Sequence, residues 1–110
     1  AFTVSSMSTG SWYNILLTKT GANGELFLNA QSQGTTTNFG SNSFTLNFLG
    51  CENQTGATRY YLAGKLDEVA VWNRALSSAA VTEIYNSGVP NDLDELTNAS
   101  DPTAWYRMGE

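Results

Sequence analysis

Apolar and polar residues alternate in several short stretches of this 110-residue chain, which is the pattern of half-buried β-strands. The cleanest alternation covers residues 43–49, where every second position is phenylalanine or leucine. Further strands are predicted over residues 12–18, 25–30 and 104–110. Glycine, asparagine and serine separate these stretches, so turns are expected between the strands. The pattern therefore predicts an all-β protein, folded as an antiparallel β-sandwich of the jelly-roll type.

Two polar, glycine-containing stretches interrupt the predicted strands. Residues 31–42 are interpreted as a long loop or a weak edge strand, and residues 50–59 as a loop. The first hairpin is expected to turn over residues 20–24, where glycine and asparagine can adopt the positive φ that a tight turn needs.

A strand that turns directly into a short helix is predicted over residues 64–88. Val69 and Val71 share one face of the extended part. Ser77 is a good N-cap, because its hydroxyl can accept a backbone N–H of the first turn. Gly88 suits the left-handed position at the end of a helix, and Pro90 prevents its continuation.

The predicted helix, over residues 78–87, has an apolar stripe at helical spacing. The stripe consists of Val81, Ile84 and Tyr85, and Leu76 stands at the hydrophobic-staple position before the N-cap. A helix of about three turns is marginal in isolation. We therefore expect the stripe to dock on a sheet.

Four stretches, in this order, resemble the laminin-G-like, concanavalin-A-like β-sandwich domains. They are the strand that begins at Trp12, the strand over residues 25–29, the strand over residues 44–50, and the strand and helix over residues 64–88. The last stretch is the most specific one. Ala30 departs from the family pattern, in which glycine commonly follows an asparagine such as Asn29.

The resemblance covers roughly residues 10–88 and corresponds to the C-terminal half of such a domain, so several opening strands are expected to be missing. It implies a partial β-sandwich over residues 1–88 and a linker over residues 89–103. An additional strand over residues 104–110 would close the sheet or open a following module. Similar tandem modules occur in phage and marine-bacterial surface proteins.

Domains of this kind are mostly recognition and adhesion modules. The resemblance therefore implies a non-catalytic module of an extracellular or virion-surface protein that binds carbohydrate. The alternative is a structural or decoration module of a viral particle or fibre, acting through contacts with protein partners or other copies in an assembly. Both alternatives stay open at the level of the sequence.

The net charge of −5 and the pI near 4.4 limit the classes of partner. Phosphate backbones need clustered basic residues, whereas the five lysines and arginines here are scattered along the chain. Nucleic-acid binding is therefore not expected. Membrane insertion is not expected either, because the sequence has no apolar run of 18 residues. Cys51 is the only cysteine, and it is interpreted as a structural thiol.

An enzymatic function is not predicted. The chain has no histidine, so Ser-His-Asp and Cys-His arrangements are excluded. A glycoside hydrolase needs two carboxyl groups about 5–9.5 Å apart in one cleft. Asp67 and Glu68 are adjacent in a predicted strand and point to opposite faces, and the other acidic cluster lies in the linker-like segment.

Ligand-binding residues are predicted beside the polar loop over residues 50–59. Tyr60 and Tyr61 are candidate exposed aromatics, with Asn53 and Arg59 as polar neighbours.

Structural roles are predicted for the residues that frame the strand–helix unit. Asp67 is expected to accept backbone N–H groups or to pair with Arg74. Ser77 and Gly88 are assigned to the two ends of the helix.

Calcium is the cofactor that the resemblance implies at the loop rim. It takes six to eight oxygen ligands, to which Asn38, Asn42 and Glu52 are candidates to contribute. The sequence has no Asp-rich loop with calcium-ligand spacing, so a domain without a cofactor and a domain with one calcium ion are both open.

Overall fold

The computed structural model describes residues 2–4, 6–40 and 48–108 of the chain. This part contains short strands, one α-helix and one 3-10 turn. In chain order they are β1 (Ile15–Thr20), β2 (Asn23–Leu28), β3 (Gln31–Thr36), β4 (Glu52–Gln54), β5 (Ala57–Arg59), β6 (Val69–Val71), α1 (Ser78–Tyr85), the 3-10 turn Asn86–Gly88, and β7 (Ala104–Tyr106). The predicted strand over residues 43–49 falls mostly on residues 41–47, which lie outside the described residues. No described helix has the length and apolar character that crossing a membrane requires.

The strands pair antiparallel in three sheets. The largest has the order β1-β2-β3, and β4-β5 and β6-β7 are two-stranded. This arrangement, with a single short α-helix, confirms the predicted all-β class.

The first hairpin has a tighter turn than the sequence predicts. Thr20 pairs with Asn23, so only two residues connect β1 to β2, and the expected loop over residues 20–24 is mostly strand. The next turn also has two residues, Asn29 and Ala30, which both adopt positive φ, at 49° and 64°. This turn geometry follows the right-handed twist of the strands, and it places an alanine where glycine would be unstrained.

Strand β2 is the centre of the largest sheet and is buried on both of its faces. Leu28 lies opposite Ile15 on one face, and Phe27 lies opposite Leu16 on the other. Phe27 and Leu28 are buried, whereas Ile15 at the edge of the same sheet is exposed. The core of this sheet therefore runs along β2 and does not extend to β1.

Residues 31–36 form an edge strand, one of the two alternatives that the sequence left open. The chain then returns over the first hairpin, where the Phe39 N–H donates a hydrogen bond to the Ala22 carbonyl over 3.2 Å. The Phe39 ring covers Gly24 so closely that a Cβ at this position would collide with it. A larger residue at position 24 would therefore force the Phe39 ring to move.

Residues 50–59 are not a loop, so that prediction was wrong. Strands β4 and β5 form a hairpin in which Glu52 pairs with Arg59 and Gln54 with Ala57. The connecting residues, Thr55 and Gly56, adopt positive φ at 53° and 84°. Three-residue polar strands carry no apolar alternation, so the Thr-Gly pair is the only local signal of this turn.

Helix α1 begins and ends by local hydrogen bonding. The Ser77 hydroxyl accepts the Ala80 N–H over 3.2 Å, which satisfies one donor of the first turn. The left-handed residue after the helix is Asn86, at φ 46°, whose N–H bonds to the Thr82 carbonyl. Gly88 has a φ of 86° but lies in the 3-10 turn that follows, so the α-helix ends earlier than predicted.

Ala80 and Val81 are the buried residues of the helix. Ile84 and Tyr85, the other members of the predicted stripe, are half-buried. Leu93, in the segment after the helix, is buried as well.

The segment over residues 89–103 is held by hydrogen bonds to earlier parts of the chain. The Asn91 amide donates to the Glu83 carbonyl over 3.0 Å, and the Trp72 indole N–H donates to the Ser100 carbonyl over 2.9 Å. Strand β7 then pairs with β6, with Val71 opposite Ala104. The end of the described chain is thereby fixed to the strand that precedes the helix.

The Glu83 carboxylate joins the helix to this segment. It accepts the Thr97 N–H over 2.5 Å, the Asn98 N–H over 2.9 Å and the Asn98 side-chain amide over 2.7 Å. Hydrogen bonds to the charged form, first among them that of the Thr97 N–H, hold the pKa of Glu83 below its ordinary value of 4.5.

We expect Glu83→Gln to lower the melting temperature at neutral pH, because the amide cannot accept all three donors. A depressed pKa stabilises the fold above the ordinary carboxyl pKa, and this contribution is lost as the pH falls through the folded-state value. The difference between the wild type and the variant should therefore shrink in thermal melts taken at progressively lower pH. Glu95→Gln is the control, since Glu95 is exposed. A constant difference across the pH range would contradict this role.

Candidate ligand-binding site

The β4–β5 hairpin presents two adjacent tyrosines to solvent. Tyr60 is 74% exposed and Tyr61 is 68% exposed. In an extended strand, neighbouring side chains point to opposite faces. Tyr60 instead has a left-handed backbone, with φ at 55°, immediately after strand β5 ends. The chain thus leaves the strand in a way that keeps both rings in solvent.

Local contacts hold the two rings in place. The Tyr61 hydroxyl shares a 2.6 Å hydrogen bond with the Thr58 hydroxyl and donates to the Thr58 carbonyl over 3.3 Å. The Arg59 guanidinium carbon lies 5.3 Å from the centroid of the Tyr60 ring, within the range of a cation–π contact. We name the group Thr58, Arg59, Tyr60 and Tyr61 the hairpin platform.

The base of this hairpin is closed by the backbone. The Leu62 N–H donates to the Gly50 carbonyl over 2.7 Å. This bond joins the residue that follows the platform to the segment that precedes β4. A platform on a closed hairpin is pre-organised, which reduces the ordering that binding would require.

The charges of the platform come from Arg59 and from Glu52, its partner across the hairpin. Residues directly opposite in an antiparallel pair point to the same face. Within the described residues, however, no ion pair joins these two side chains. The Arg59 guanidinium contacts an aromatic ring, and no described residue accepts a hydrogen bond from its N–H donors.

The structure brings most of the predicted ligand-binding residues into this one hairpin. Arg59, Tyr60 and Tyr61 lie consecutively, and the backbone of Asn53 pairs with Thr58 in the adjacent strand. The side chain of Asn53 lies outside the described part of the structure.

The candidate calcium ligands lie on separate elements. Asn38 follows β3, where its N–H bonds to the Thr36 hydroxyl over 3.3 Å, and Glu52 begins β4. Asn42 is outside the described residues. Among those described, no three aspartate, glutamate, cysteine or histidine side chains gather as a metal-binding group. The calcium site stays a prediction.

Asp67 adopts one of its two predicted roles, since its carboxylate accepts the Glu68 N–H over 2.8 Å. No ion pair connects it to Arg74 within the described chain. Arg74 instead lines an open cavity of about 390 Å³ with Ser77, Asn98 and Ser100.

A cluster around Glu68 was not predicted from the sequence. Its carboxylate accepts the Trp105 indole N–H over 2.7 Å and lies 3.6 Å from the Arg107 Nε. The Arg107 guanidinium also lies 4.8 Å from the Trp105 ring centroid. The pairing of β6 with β7 brings these residues together. The alternation around β7 was the only sequence signal, and it did not identify the partner strand.

Antiparallel strands with one short helix and an exposed aromatic hairpin define an all-β protein of the β-sandwich class. A sequence model of the laminin-G family, described as the concanavalin A-like lectin/glucanases superfamily, matches residues 1–82. The chain belongs to this family, which confirms the resemblance found in the sequence.

One solved structure has a similar fold. It is the crystal structure of an S-layer domain-containing protein from Clostridium thermocellum, with 23% sequence identity and a TM-score of 0.63. The similarity covers 74% of this chain and 42% of that chain, so this chain spans less than half of its length. A search of curated proteins finds no match.

Proposed function

We propose that this chain is a non-catalytic recognition module that binds carbohydrate through the hairpin platform. The observation that carries the proposal is the joint exposure of Tyr60 and Tyr61 on a closed hairpin. An aromatic ring offers an apolar face against the C–H groups of a sugar, and a tyrosine hydroxyl adds a polar edge. Membership in a superfamily of lectins and glucanases supports a glycan as the ligand.

The partners of the acidic side chains near β6 support a role without catalysis. A glycoside hydrolase needs one carboxylic acid to donate a proton and a second carboxylate in the same cleft. Asp67 accepts a backbone N–H. The Glu68 carboxylate accepts the Trp105 indole N–H and lies beside Arg107, so its oxygens already have partners within the protein.

We infer that the module works on the surface of a cell or of a virus particle. The solved structure with a similar fold belongs to an S-layer domain-containing protein, and lectin-like modules serve recognition where glycans are exposed. The low content of charged residues, 14%, is compatible with this setting.

A second candidate function is assembly through protein contacts, and the exposed apolar residues at β1 favour it. Ile15 is 61% exposed and Leu17 is 44% exposed, both on the same face of an edge strand.

We expect Tyr60→Ala and Tyr61→Ala each to weaken glycan binding about tenfold or more, as is typical when an aromatic anchor is removed. Isothermal titration calorimetry against a panel of β-glucan, galactan and polyuronate oligosaccharides measures the effect. Tyr106→Ala is the matched control, because Tyr106 is exposed on a different sheet. Equal affinities for the Tyr60 and Tyr61 variants and the wild type would reject the platform, and sugar release from the same panel would reject the non-catalytic assignment.

A further inference from the structure

We propose that the hairpin platform selects acidic sugars, that is, oligosaccharides that carry an anionic oxygen group such as a uronate carboxylate or a sulfate ester. The inference rests on the proposed glycan-binding function and adds the ligand class. It is carried by the position and partners of Arg59, which the aromatic residues alone would not predict.

Arg59 is an exposed cation that has no acidic partner among the described residues. Its guanidinium carbon lies 5.3 Å from the Tyr60 ring centroid, and no ion pair to it occurs within the described residues. Arg107 provides the contrast, because its guanidinium contacts an aromatic ring and also lies beside the Glu68 carboxylate. A carboxylate thus accompanies the arginine–aromatic contact of Arg107, whereas no carboxylate of a described residue accompanies that of Arg59.

The chemistry of the guanidinium group indicates what would complete the open site. Five N–H donors lie in a planar fork that matches the two oxygens of a carboxylate or sulfate. A contact with the face of an aromatic ring does not use these in-plane donors. The platform therefore holds a positive, directional anion-binding group in place before a ligand arrives.

The aromatic residues place a sugar next to this group. Tyr61 is fixed by its hydrogen bonds to Thr58, and Tyr60 remains mostly exposed although Arg59 lies against it. A sugar ring that packs on the exposed tyrosines brings its substituents to the edge of the platform, where the guanidinium lies. An anionic substituent there gains a charge-assisted hydrogen bond that a neutral hydroxymethyl group cannot form.

Glu52 opposes this selection. It lies directly across the hairpin from Arg59 and faces the same side, so its negative charge repels an anionic ligand and competes for the guanidinium. Removing the Glu52 charge should therefore strengthen binding of acidic sugars and leave binding of neutral sugars unchanged. The net charge of −5 opposes a general attraction of polyanions, so binding of an acidic sugar needs the specific contact with Arg59.

The test compares matched oligosaccharides in calorimetric titrations. The probes are oligogalacturonates, neutral galacto-oligosaccharides of equal length and sulfated galacto-oligosaccharides. Wild-type protein should prefer at least one acidic probe over the neutral one by about tenfold, the contribution of one charged hydrogen bond. A comparison of the affinities for the carboxylated and the sulfated probes shows whether the site binds a uronate carboxylate or a sulfate ester.

Three variants connect the preference to the platform. Arg59→Gln should abolish the preference but keep the affinity for the neutral probe, and Glu52→Gln should increase the affinity for the acidic probe alone. Arg74→Gln, at an exposed arginine outside the hairpin, should behave as wild type. Thermal melts establish that each variant is folded.

Two results would overturn the inference. Equal binding of acidic and neutral probes by the wild type, or a preference that survives Arg59→Gln, shows that Arg59 does not select the ligand, while glycan binding itself stands. No binding of any probe on the whole panel rejects the proposed function together with the inference.

Discussion

Val81→Asp should remove a large part of the free energy of unfolding at 25 °C. Val81 is 1% exposed, and the described structure has no cationic partner for a carboxylate at this position. An unpaired buried charge destabilises a protein by about 3–5 kcal/mol, which is comparable to the whole stability of a small domain, about 5 kcal/mol or more. The core is small, with Phe27, Leu28, Ala80 and Leu93 as its other buried apolar residues in the described part. Thermal melts followed by circular dichroism should therefore show a melting temperature far below that of the wild type.

The milder Val81→Ala separates packing from charge. Removing two buried carbon groups, at about 0.8 kcal/mol each plus a cavity term, should lower the free energy of unfolding by about 2–3 kcal/mol. Val89→Ala is the matched control, because the same atoms are removed from a side chain that is 59% exposed. Its effect should stay within about 0.5 kcal/mol. Urea denaturation midpoints of the two variants that coincide would show that the helix does not dock through Val81.

The chain should associate with itself through β1, and single substitutions there should make it monomeric. Strand β1 is an edge strand of the largest sheet, so its outer backbone groups have no partner strand within the described residues. Exposed edges with apolar side chains pair readily with another copy. A second β1 running antiparallel would extend the sheet across a twofold axis and cover Ile15 and Leu17 on both copies. Sedimentation velocity should show a dimer or larger species at micromolar concentrations.

Ile15→Lys should remove this association, because a charge would be buried at the new interface and edge lysines discourage strand pairing. Val89→Lys introduces the same charge at an exposed valine away from β1 and should leave the association intact. A wild-type protein that stays monomeric up to high concentration would remove the support for the assembly function. Loss of association in both variants would show that net charge, not the edge strand, controls it.

Local sequence patterns predicted those helices and strands that depend on only a few consecutive residues. The serine at residue 77 has the chemistry of an N-cap, and its hydroxyl accepts the N–H of Ala80 only three positions away. Strands β1 and β2 carry apolar residues and were predicted with shifted bounds, because the length of the turn between them depends on pairing rather than on composition. The hairpin over residues 52–59 was missed, since its strands are short and polar.

The sequence likewise predicted only part of the candidate site. The exposure of Tyr60 and Tyr61 was predicted from their position beside a polar stretch, but the left-handed backbone at Tyr60 that exposes both rings was not. The partners of Arg59 also depended on the fold, because the register of β4 and β5 places Glu52 opposite it without forming an ion pair.

The sequence by itself determined the all-β class, the strand–helix unit, the family and the residue types available for recognition. Each of these depends on side-chain periodicity, capping or motif order over short distances along the chain. Only the tertiary structure decided which groups meet, as with the Glu68 carboxylate and the Trp105 indole, which are 37 positions apart, or Glu83 and the N–H groups of Thr97 and Asn98. Such contacts depend on the path of the backbone between the partners, and no local pattern encodes that path.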